Sequence, residues 1–112
     1  MELLEFLQGL RHVKHAGYQI YTIQGMWGEM IRLKSPQGDE HCFVTAVCAV
    51  RTGLVFSFHA ANLAAVTLGV PYALAKQLAG ASDGEPTTLA LRQQCLDALT
   101  CRSGKGAPPC PM

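Results

Sequence analysis

Charge is what this sequence has least of. Only 15% of its residues are Asp, Glu, Lys or Arg, against roughly 25% in an average soluble domain. So few ionic groups cannot cover the outside of a folded chain. The surface is therefore expected to be built largely of Ala, Gly, Thr and Gln, or to be buried in part against a partner. Nine Lys and Arg against eight Asp and Glu leave a net charge of +1, and the basic residues are scattered from Arg11 to Lys105. No cluster is dense enough to neutralise a run of phosphates, which argues against nucleic acid as a partner. An anionic membrane surface is no better served.

Long apolar runs are missing as well. No apolar segment reaches the roughly 18 residues that a bilayer span needs. The start, Met1-Glu2-Leu3-Leu4-Glu5, has acids where a signal peptide would have positive charge. A cytoplasmic protein with reduced thiols is expected. Five cysteines cannot all pair within one chain, and no C-x-x-C occurs, so structural disulfides are not expected. Neither G-x-x-x-x-G-K-[ST] nor G-x-G-x-x-G is present, which leaves phosphate binding without a motif and the expected cofactor list empty.

What remains is enough for one domain. A chain of 112 residues buries about two-thirds of the surface its unfolded form exposes, and that builds a single core. The longest uncharged stretch free of turn residues is Cys42-Phe43-Val44-Thr45-Ala46-Val47-Cys48-Ala49-Val50, set between Pro36-Gln37-Gly38-Asp39-Glu40 and Arg51-Thr52-Gly53. The core must form there. Its periodicity suits a buried helix or a buried strand; the small residues Ala46, Cys48 and Ala49 favour a close-packed helix over 40–51, capped by Asp39.

Around that stretch the pattern predicts the other elements. Leu3, Leu4, Leu7 and Leu10, with Phe6 and Val13, give an amphipathic helix over 2–16, with Arg11, Lys14 and His15 at its C-terminal end and Gly17 closing it. Gly9 interrupts that pattern. From Tyr18 the period falls to two, and Tyr18–Ile23 and Glu29–Lys34 flank Gln24-Gly25-Met26-Trp27-Gly28 as a β-hairpin. The competing reading makes 18–28 a loop that lays Trp27 on the core. Ser57 is expected to cap a helix over 58–68 ended by Gly69, and Pro71 to open another over 71–80. Ala81–Pro86 reads as a loop. Thr87 or Thr88 then caps a helix to about 101 with Leu89, Leu91, Leu96 and Leu99 facing inward. The domain is expected to span 1–101, with 102–112 as a frayed tail. The fold class is α+β, predominantly helical: four or five helices and a small hairpin after the first.

The sharpest chemical candidate pairs Cys42 with His59. A thiol at a helix N-terminus is favoured as thiolate, and a histidine elsewhere in the chain can take its proton. Against this, free cysteine is among the most buried residue types, no local signature surrounds Cys42, and no third, orienting residue can be named. A zinc site from His12, His15, His41 and Cys42 is weaker, because adjacent ligands rarely fit one tetrahedron. Asp39-Glu40 and Asp83 with Glu85 lie in turns, where hydrogen bonds to backbone account for them. The helices around Pro71 could form a loose helix–turn–helix, but Tyr72-Ala73-Leu74-Ala75-Lys76-Gln77 offers a single lysine to phosphate. Trp27 and Tyr72 are the candidate partner-binding residues, tryptophan being a common interface anchor, although it is also highly buried on average.

Trp27, Cys42 with Thr45 and Ala46, the Ala60-Ala61 to Leu68-Gly69 segment, Asp83, and Arg92 with Leu96 and Leu99 together resemble the layout of an uncharacterised family of small bacterial and phage proteins. The likeness runs from about residue 3 to 99. The family's Asp turn often reads Trp-Asn-Asp, of which Ala81-Ser82-Asp83 keeps the Asp. The family carries no established activity, so the resemblance implies fold rather than reaction. The expected function is a small non-enzymatic interaction protein, phage- or mobile-element-encoded, that binds a protein partner or itself; the alternative is a cysteine-dependent enzyme using Cys42 and His59.

Overall fold

The computed structural model describes residues 1–100. The expected tail at 102–112, with Cys110, lies outside the described residues. In chain order the elements are α1 (Leu3–His15), β1 (Gln19–Gly25), β2 (Gly28–Lys34), β3 (Glu40–His41), α2 (Phe43–Thr52), α3 (Ala61–Leu68), α4 (Tyr72–Asp83) and α5 (Leu89–Thr100). Short 3-10 turns at Phe58–Ala60 and Pro86–Thr88 lead into α3 and α5. The fold is predominantly helical α+β, with a small antiparallel sheet after the first helix.

The stretch from Cys42 to Cys48 is the centre of the molecule. Every residue in it is buried, and the helix it forms packs against α1, α3, α4 and the sheet. Phe6, Leu10 and Val13 of α1, Ile31 and Leu33 of β2, and Leu99 of α5 close around it. Gly9, which breaks the apolar pattern of α1, sits where α1 crosses α2. A Cβ there would stand 2.8 Å from Val47 Cγ1, so the missing side chain sets how near the two helices come.

The hairpin forms as expected, from Gln19 opposite Lys34 to Gly25 opposite Gly28. Met26 and Trp27 make a two-residue turn, and Gly28 takes φ +114°, which an L side chain rarely adopts. β2 does not bury one face only. Ile31, Arg32 and Leu33 are all buried, because the helical core covers one face while α4 and Phe58 cover the other.

Five expectations are corrected. Asp39 does not cap α2: its carbonyl accepts from Ser35 N–H and its N–H donates to Ser35 Oγ, 2.9 and 3.0 Å, which closes a turn and lets Glu40 and His41 pair with β2 as a third strand. Cys42 holds the N-cap position instead. The helix after Pro71 does not stop at 80, because Ala81, Ser82 and Asp83 remain helical; Ser82 Oγ donates to Ile31 O at 2.8 Å, and that contact outweighs the local turn preference. Leu89 faces outward, whereas Leu91 and Leu96 are half-buried and Leu99 is buried. Ser57 and Glu85 each accept from the second residue onward, at the start of a 3-10 turn rather than of an α-helix. Neither Thr87 nor Thr88 caps α5; Thr88 lies within the turn, its hydroxyl donating to Glu85 O.

Candidate functional site

Two of the residues singled out from sequence, Cys42 and His59, line one cleft of about 320 Å³. Met30 and Arg32 of β2, Phe58, and Asp83 at the end of α4 line it as well, together with the small Ala61 and Ala79.

Arg32 dominates this cleft electrostatically. It is buried, and its Nη1 donates to Ile31 O at 3.0 Å, Asp83 Oδ1 at 3.3 Å and Ser82 Oγ at 3.4 Å. Phe58 lays its ring 5.0 Å from the guanidinium carbon, close enough for a cation–π contact. Nε, also buried, has no hydrogen-bond partner among the described residues. The pair is lopsided: the Arg32 side chain is 7% exposed and that of Asp83 43%, so only the cation depends on its partner for want of water. Sequence gave Arg32 no special standing, because a charged residue in an alternating strand reads as solvent-facing.

Cys42 is 6% exposed. Its sulfur lies 3.6 Å from Thr45 Oγ1, and the same hydroxyl accepts from Cys42 N–H at 3.1 Å. The bond from Cys42 N–H is one half of a capping box, and it holds the Thr45 hydroxyl beside the thiol in the first turn of α2. His59 sits across the cleft in the 3-10 turn, exposed, its ring centroid 4.0 Å from that of Phe58. No hydrogen bond joins Cys42 Sγ to the His59 ring among the described residues. The structure brings the two candidates to one cavity without coupling them. Cys48 and Cys95 are fully buried and unpaired, and burial pushes the Cys95 thiol up to about 12.

His41 is a core residue, 1% exposed. Its Nδ1 lies 3.2 Å from Thr45 Oγ1, its ring tilts against Tyr18 at 5.7 Å, and Nε2 is buried without a hydrogen-bond partner among the described residues. Burial lowers its pKa, with Asp39 pulling weakly the other way. His12 and His15 lie at the end of α1. The described residues contain no group of three His, Cys, Asp or Glu placed to hold a metal ion.

Trp27 lies on the hairpin turn, 50% exposed beside an 87% exposed Met26. It borders a second cleft, of about 440 Å³, shared with Lys76, Ala79, Gly80 and Asp83 of α4. Tyr72, 78% exposed, lies one helical turn before Lys76 and so on the same side of α4. The structure thus places both candidate partner-binding residues along one flank, with Asp83 between that flank and the Cys42 cleft. No family model, curated protein or solved structure matches the chain.

Proposed function

We propose that the protein is a small non-enzymatic interaction module, which binds a protein partner or a second copy of itself. The observation that carries this reading is the pair Met26-Trp27, held out on a two-residue turn over α4 with half or more of each side chain in water. Folding alone does not reward such exposure, and a tryptophan in that setting is the residue type that most often anchors an interface. The low charge of the chain supports the same conclusion. A phage or mobile-element origin is part of this proposal and rests only on the chain's small size and the resemblance in layout.

In this reading the cleft is structural, its cysteine and arginine serving the packing of α2 and α4. A second reading, a cysteine-dependent enzyme, is favoured by one observation: Cys42 and His59 line the same cavity. The two part on which residues matter. The interaction reading expects either self-association of the chain or a complex of fixed stoichiometry with another protein, seen by pull-down followed by light scattering, that is lost in Trp27→Ala and kept in Cys42→Ser. Capture of another protein that survives Trp27→Ala and Tyr72→Ala together, or a chain that neither captures a protein nor self-associates, contradicts it.

A further inference from the structure

We propose that β1 pairs edge to edge with β1 of a second copy of this chain, antiparallel about a two-fold axis through Thr22. The two three-stranded sheets then run into one. This rests on the interaction reading above and names the partner for one of its surfaces.

The first ground is that β1 is an open edge. It pairs with β2 along its whole length, and no backbone hydrogen bond reaches its other side from any described residue. None of its seven residues is buried. In an antiparallel ladder alternate residues direct their N–H and C=O groups to opposite sides, so about three residues of β1 point both groups outward. Those groups are a ready template for another strand.

The second ground is that nothing among the described residues protects this edge. Natural edge strands are blunted by charge, proline, a bulge or short length. Gln19-Ile20-Tyr21-Thr22-Ile23-Gln24-Gly25 has no charge and no proline, and its register with β2 runs from end to end without a bulge. The opposite edge shows the contrast: β3 is two residues long and carries Glu40. All the charge of the hairpin strands, Glu29, Arg32 and Lys34, lies on β2, one strand inward.

The third ground is that β1 suits its own copy. A two-fold axis sets residues of one strand against residues of the same strand, so a charge at the residue on the axis would meet its own copy. There is none. Residues opposite each other in an antiparallel pair point to the same face, so the axis must pass through a residue. Only Thr22, the middle of the seven, lets the whole strand pair. Thr22 then faces Thr22 of the second copy, Tyr21 faces Ile23, and Ile20 faces Gln24. Threonine–threonine and aromatic–β-branched pairs are among the favourable cross-strand combinations.

The test uses the full chain. Sedimentation velocity across a micromolar concentration series is expected to show a species of twice 12.0 kDa growing with concentration. Thr22→Lys and Thr22→Glu change an exposed side chain, and each is expected to raise the dissociation constant at least ~tenfold, since like charges then stand opposite each other. An equimolar mixture of the two restores the dimer. A wild-type protein that stays monomeric, a Thr22→Lys protein that dimerises like wild type, or a mixture that stays monomeric overturns the pairing. Capture of another protein through Trp27 by a chain that stays monomeric would overturn this pairing while leaving the interaction reading intact.

Discussion

Thr45→Val is expected to cost about 2–4 kcal/mol of folding stability, the sum for two buried polar groups losing their partner. Thr45 is fully buried, and its hydroxyl both accepts from Cys42 N–H at 3.1 Å and meets His41 Nδ1 at 3.2 Å. Valine keeps the shape and removes the oxygen, so two buried groups are orphaned at the N-terminus of the central helix. Thr45→Ser keeps the oxygen and loses one methyl, for a cost nearer ~1 kcal/mol. Urea denaturation of both variants separates the hydroxyl from the packing. The same cluster sets an acid limit. Because burial lowers the pKa of His41 in the fold, the unfolded chain takes up its proton first. The stability from neutral His41 is therefore complete above the ordinary histidine value of 6.5, and falls as pH drops below it towards the lower folded-state value. Denaturation midpoints measured between about pH 7.5 and 5 follow this decline.

Asp83→Ala is expected to cost about 2–3 kcal/mol, below the usual range for breaking a fully buried ion pair because Asp83 is partly solvated. Arg32 is left with Ile31 O, Ser82 Oγ and the face of Phe58, but without a counter-charge and almost without water. Arg32→Met is expected to be much milder, within about 1 kcal/mol of wild type, since methionine fills the space with no charge to solvate. Asp83 then turns to solvent, and Ile31 O keeps its bond from Ser82 Oγ. The order of the two variants is the point of the comparison. Equal losses would mean that the ion pair itself, rather than the solvation of the arginine, holds α4 to the sheet.

The elements that could be read from residues alone are those whose reasons are local. Gly25 and Gly28 bracket the hairpin turn, and alternation on either side fixes the strands. Leu3, Phe6, Leu10 and Val13 give α1 its face, and the small residues between Cys42 and Ala49 favour the helix found there, although periodicity alone suits a strand equally. The misreadings share a different cause. Ala81-Ser82-Asp83 has turn composition, yet Ser82 and Asp83 bind Ile31 and Arg32, 51 residues away, and those contacts keep the segment helical. β3 is two residues between a turn and a helix, too short to leave a periodic signal. Cys42 and His59 were both visible as chemical residues, but their meeting in one cleft depends on the 3-10 turn at Phe58, which has no signature beyond Ser57.

The central claim is that Cys42 belongs to the cap of α2 and that the molecule acts through its outer faces. Brief iodoacetamide treatment of the folded protein near neutral pH, followed by peptide mass spectrometry, tests it most directly. With Cys42 6% exposed and its sulfur beside Thr45, this residue is expected to label no faster than the buried Cys48 and Cys95, and all three only after denaturant is added. Rapid, selective alkylation of Cys42 that slows when His59 is replaced by alanine contradicts the account and puts a reactive thiol in the cleft.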